Sequence, residues 1–170
     1  MKLMKWKLLL IGGAVFAFSG QANAQATQDI VVSATVPPFC LFDVSSGTTM
    51  DFDLSGVATA TTDFSATTVL AWRCSNGIDF DISIGPGGST DQEARELDSG
   101  AATLPYNLFI NGAFSAIWGD GTGNTQVVTV PGLGMGIPGF TTVHGRILLD
   151  DVQAAEPDTY TDTVTVTITP

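Results

Sequence analysis

Past its seventh residue the chain has no lysine. Lys2, Lys5 and Lys7 stand at the start, and from residue 25 onward the basic side chains are Arg73, Arg95 and Arg146. Against 17 acids that leaves 3 − 17 = −14 for residues 25–170. Nucleic acid and anionic membrane are excluded as partners on this balance, because both demand basic patches. Histidine is nearly absent too. A nucleophile needs a base, and His144 lies inside a predicted strand, TTVHGR, where a structural role is expected. Cysteine is limited to Cys40 and Cys74, too few ligands for a metal site beside one histidine. In an exported chain they are expected to form one disulfide, closing a loop that stabilises the fold by about 4 kcal/mol. No apolar run reaches the roughly 20 residues of a membrane span.

The start, MKLMKWKLLLIGGAVFAFSGQANA, joins a basic stretch to an apolar run from Leu8 to Phe18 and a small-x-small site at Ala22-Asn23-Ala24. That is the pattern of a secretory signal peptide over residues 1–24. The mature chain is expected to begin at Gln25 and to form one domain.

Helical periodicity is scarce. Short runs of Thr, Val, Ile and Phe alternate with Gly, Pro, Asn and Asp clusters, as in an all-β sandwich. Strands are predicted over 29–36, 40–44, 67–74, 78–84, 104–110, 125–130, 142–149 and 160–169, with a short helical turn near 91–97. The punctuation between them (CSNG, GPGG, INGA, WGDGTGN) supplies the positive φ of tight turns.

Each chemical motif has a plainer reading. GMGIPG over 134–139 matches the dinucleotide pattern in letters, but it contains Pro138 and leads into a strand, so a loop is expected. Asp120 in GDGTGN would be one acid among glycines, a poor calcium cage. The pairs Asp51/Asp53, Asp79/Asp81 and Asp150/Asp151 select no two carboxyls facing across a cleft, as glycosidases require. Trp72, Phe80, Tyr106, Phe109, Phe114 and Trp118 could form a sugar-binding face, and are expected instead in the core. No catalytic residue, cofactor or metal site emerges.

The two ends carry the informative pattern. Over 160–169, Tyr160, Asp162, Val164, Val166 and Ile168 alternate strictly with threonine. Such a strand is half-buried, and a last strand with an open edge invites pairing with another chain. Near Gln25, ATQDIVVSATVPP places Ile30, Val32, Ala34 and Val36 on one face, tethered by Pro37-Pro38. It reads as an ordinary first strand or as a segment that fills a groove in another molecule by strand addition. Because such a joint is head-to-tail, repetition would give an open filament.

Cys40 with Asp51-Phe52 downstream, WRCSNG at 72–77, LPYNLF at 104–109, WGDGTGN at 118–124, VHGRI at 143–147 and YTDTVTVTI at 160–168 together resemble the spore coat protein U domain family, which includes subunits of archaic chaperone–usher pili. The resemblance runs from about Gln25 to Pro170. It departs from the family pattern at His144, Asp158, Pro170 and the long LLDDVQAAEPDTY connection. It implies an incomplete immunoglobulin-like sandwich over 38–170 that lacks its last strand and is completed by donor-strand complementation. The donor segment would be 25–37, through Ile30, Val32, Ala34 and Val36. Val164, Val166 and Ile168 would line the acceptor groove, and Cys40–Cys74 would pin the first strand. The implied partners are other copies or homologous subunits, a periplasmic chaperone and an outer-membrane usher, and the implied destination is a fimbrium at the cell surface. Rival readings are a secreted carbohydrate- or surface-binding module such as a tip adhesin, a spore-coat structural protein, and a small hydrolase, the last discouraged by the single histidine.

Overall fold

The computed structural model describes residues 25–170; the predicted leader, 1–24, lies outside the described residues. Residues 25–35 and the body from Val36 onward are separate units. In the first, Ile30 and Val32 are more than 80% exposed and no residue is in a strand. The alternation at 29–36 therefore forms no ladder here, since an extended segment becomes a strand only against a hydrogen-bonding partner.

The body is built of β1 (Cys40–Phe42), β2 (Phe64–Cys74), β3 (Asp79–Ile84), β4 (Arg95–Asp98), β5 (Thr103–Phe109), β6 (Ile117–Trp118), β7 (Thr125–Gln126), β8 (Val128–Pro131), β9 (Gly139–Ile147), helix α1 (Leu149–Ala154) and β10 (Val166–Thr169). One sheet runs β1-β2-β9-β5-β6-β7 with β4 on β5, and the other runs β10-β3-β8. Alternation along each strand sends one row of side chains inward. Phe80, Ile82 and Ile84 of β3 meet Leu70, Trp72, Leu104, Leu108, Val143 and Ile147 of the larger sheet in one apolar core.

The disulfide Cys40–Cys74 joins the register pair at the start of β1. Three expectations are corrected, at 91–97, 125–130 and 160–169. The stretch read as a helical turn at 91–97 is a turn followed by β4, whose Arg95 and Leu97 point inward between exposed Glu96 and Asp98. The single strand read at 125–130 is divided into β7 and β8, which lie in different sheets. The long connection after β9 holds α1, whose acids Asp150 and Asp151 occupy its first turn, where the helix dipole favours them. The strand read at 160–169 is regular only from Val166, with an isolated bridge from Thr161 to Asp98.

Of the aromatics, Trp72, Phe80, Tyr106, Phe109 and Trp118 are buried as expected, while Phe114 is half-exposed. His144 is a half-buried member of β9. Asp120 accepts hydrogen bonds from the backbone N–H and the hydroxyl of Thr122, stabilising its own turn.

Candidate functional site

From Tyr160 to Ile168 every even residue is half-buried and every odd one exposed, so the predicted two-faced pattern holds beyond the short β10 itself. Val166 pairs with Ile84 and Ile168 with Ile82, so these side chains share the core face of the sheet. Ile82 and Ile84 are sealed at 0% and 1% exposure, whereas Val166 and Ile168 remain half-covered. β10 is the terminal strand of its sheet, and its outer edge has no strand partner among the described residues. That row of backbone groups is a template for another strand.

The opposite wall comes from the chain after β1. Asp43 and Gly47 still donate to the carbonyls of Ala71 and Val69 along the edge of β2. Beyond Gly47 the chain is extended but in no ladder, with Met50, Phe52 and Leu54 half-buried between exposed Asp51 and Asp53. Met50 and Phe52 reach over β9 at Gly145, where a Cβ would come within 2.5 Å of the Met50 sulfur and 2.7 Å of the Phe52 ring. Glycine leaves room for that approach, and a side chain at 145 would displace the Met50 and Phe52 tips.

Between the two walls lies a cleft of about 400 Å³, lined among others by Met50, Phe52, Leu70, Tyr106, Val164 and Val166. A neighbouring cavity of about 510 Å³ shares Met50, Phe52 and Asp162 and extends to Leu54, Leu104 and Tyr160. Of the predicted groove residues, Val164 and Val166 line this cleft. Ile168 packs on the core farther along β10.

One inward position is charged. Asp162 accepts hydrogen bonds from the Tyr106 hydroxyl (2.6 Å) and the Gly88 N–H (2.8 Å). Burial first, and then the carboxylate of Asp162, push the Tyr106 phenol well above its usual pKa. Behind it sits Arg95, fully buried, which donates six hydrogen bonds to Gly85 O (twice), Ile84 O, Gln92 O, Trp118 O and Asn107 Oδ1. Its proton affinity is lowered by burial, with the field of Tyr106, Asp162 and Asp91 opposing. The Trp118 indole N–H in turn donates to Ile82 O. This knot ties β3 to β5 and β6 at one end of the cleft. Sequence reasoning missed Arg95; the available signal was the alternation Arg-Glu-Leu-Asp, in which the two acids share one face.

The cleft offers apolar side chains and unpaired backbone, an arrangement suited to binding a strand. The Spore Coat Protein U domain model matches residues 26–167. Among solved structures, a chain of the CsuC–CsuE chaperone–tip adhesion subunit pre-assembly complex, from archaic chaperone-usher Csu pili of Acinetobacter baumannii, is similar in fold. The TM-score is 0.52 at 21% identity, over 79% of this chain and 40% of that chain. No curated protein matches significantly. With an all-β two-sheet body and a family model spanning nearly its whole length, the chain belongs to the Spore Coat Protein U domain family.

Proposed function

We propose that the chain is an exported structural subunit of a chaperone–usher surface fibre. Ile30, Val32, Ala34 and Val36 of one copy enter the cleft of the next, beside Val164, Val166 and Ile168. The observation that carries this reading is the half-covered inward row of β10 beside the sealed row of β3. An apolar face that stays open while its paired neighbour is closed lacks one strand's worth of cover. An incoming strand would add main-chain hydrogen bonds and bury Ile30, Val32 and Val36, each contributing ~1.5–3 kcal/mol.

The partners on this reading are further subunits, a periplasmic chaperone that covers the cleft before assembly, and an outer-membrane usher. Residues 1–24 direct export, and the fibre stands at the cell surface. The subunit performs no chemistry. The resemblance of the fold to a chaperone–subunit complex of such a pilus supports the assignment.

The test uses protein beginning at Gln25, wild type and Ile30→Asp/Val32→Asp. Wild type is expected to form a ladder that resists detergent without heating, while the double variant stays monomeric. A peptide spanning residues 25–37 should then raise the thermal midpoint of the double variant, as ligand binding only the folded state must. Equal polymerisation of both proteins, or a midpoint indifferent to the peptide, overturns the reading.

A further inference from the structure

A second cleft, of about 580 Å³, lies on the outer face of the larger sheet, away from the strand-binding wall. Its centre is Arg146 of β9, whose guanidinium carbon lies 5.1 Å from the ring centroids of both Phe109 and Phe114. The two rings meet edge-to-face at 5.4 Å. Phe109 points outward from β5 yet is only 5% exposed, with Phe114 and Arg146 packed on it.

Phe114 is the only non-glycine residue with positive φ (53°) among the described residues. For a bulky side chain that conformation is an outlier, costing about 1–2 kcal/mol. The turn is enforced by Asn111, whose carboxamide oxygen accepts from the N–H groups of Ala113 and Ser115 and whose amide donates to the Ser115 hydroxyl. Its result is to hold the Phe114 ring against Arg146. Backbone strain of this kind collects where a side chain must be presented.

The three arginines of the body differ. Arg73 is bound to Asp43, and Arg95 is saturated by its carbonyl cage. The Arg146 side chain makes no hydrogen bond among the described residues, its one ionic neighbour being Asp63 at 3.9 Å. Its fork of N–H donors is pinned by stacking and left unused. Glu96 and Asp151 stand in the same wall, and neither carboxylate makes a hydrogen bond or ion pair among the described residues. Pro105 and the Phe114 edge supply apolar surface beside them.

We propose that this cleft binds a neutral saccharide. Hydroxyls can accept from Arg146 and donate to Glu96 and Asp151, while the C–H face of a sugar ring rests on Phe114 and Pro105. Two free carboxylates on a body of charge −14 disfavour an acidic ligand, and the unused Arg146 donors call for acceptor atoms, which hydroxyls supply and an ammonium does not. The cavity is of the size that small-molecule sites occupy. Tyr106 borders both clefts, but Glu96, Phe114, Arg146 and Asp151 line this one and not the strand-binding cleft, so binding here does not depend on polymerisation.

The test is saturation-transfer NMR on the chain from Gln25, with maltotriose, cellotriose, triacetylchitotriose and trigalacturonate as probes. One or more neutral probes should receive saturation and the acidic one should not. Phe114→Gly keeps the left-handed turn while removing the ring, and should weaken binding about tenfold or more. Glu96→Gln changes an exposed side chain, so it carries the test should Phe114→Gly fail to fold, and it should weaken binding as well. The proposal is overturned if no neutral probe responds, if trigalacturonate alone binds, or if a folded variant binds as wild type does.

Discussion

β3 and β10 are hydrogen-bonded neighbours with similar inward rows, yet they end in different environments. Phe80, Ile82 and Ile84 are covered on every side by the larger sheet and by β8 and β10. Val166 and Ile168 of β10, and Val164 just before it, have the same apolar chemistry and alternation, but β10 has one neighbouring strand fewer. Burial is therefore a property of a strand's place in its sheet, and composition alone does not fix it. The same chemistry that closes a core in β3 leaves a half-covered apolar row in β10.

The sharpest way to break this contrast is at the sealed end. Arg95→Ala would remove the donor that satisfies five acceptor atoms around β3, β5 and β6. Buried carbonyls left unpaired and a cavity in place of the guanidinium should lower stability by about 4–5 kcal/mol or more, read by urea unfolding of the monomeric Ile30→Asp/Val32→Asp protein. A loss below about 1 kcal/mol would mean that water replaces the cage freely.

Next in size is a paired truncation across the register. Ile82→Ala should cost about 3 kcal/mol, as core truncations do. Ile168→Ala, its half-covered partner, should cost about 1 kcal/mol in the same monomeric background. Adding the peptide of residues 25–37 should raise the second cost toward the first and leave the first unchanged. Equal costs without peptide would show that β10 is already covered.

The smallest expected effect lies on the opposite wall, where β1 ends. The side-chain hydrogen bond from Arg73, followed by those from Ser45, holds the Asp43 carboxyl down at about 2. A carboxyl lowered from 3.8 in this way contributes stability above its unfolded value and loses it as pH falls. The stability difference between wild type and Arg73→Met should thus be constant at neutral pH, shrink below about pH 4, and vanish near pH 2, as followed by acid titration of the unfolding midpoint. Because the pair is at the surface, the difference should be small and should weaken with salt.

Much of the fold was legible because it rests on period two. The strands at 40–42, 64–74, 79–84, 103–109 and 139–147 all lie where alternating β-branched and apolar residues predicted them, within a few residues at each end. The Cys40–Cys74 bond followed from counting. What was illegible were elements decided by distant partners. β4 looked helical because Asp-Gln-Glu-Ala-Arg-Glu-Leu favours a helix locally, but the pairing of Arg95 with Tyr106 and of Leu97 with Leu104 overrides it. β6, two residues long, exists only through its contacts with β5 and β7. In the candidate site, Val164 and Val166 could be found from alternation, whereas Met50 and Phe52 could not, since their segment joins no ladder and meets the cleft through the space left at Gly145.

By itself the amino-acid sequence determined the class of fold, the single disulfide, the strongly acidic character and the two alternating segments near its ends, because those depend on composition and on local spacing. Tertiary structure alone decided which inward rows are sealed and which stay open, that a buried arginine would join the two sheets, and that Arg146 would lie pinned between two phenylalanines. Each of those is set by residues far apart in the chain, whose meeting depends on sheet order and register, and neither is written in the local pattern.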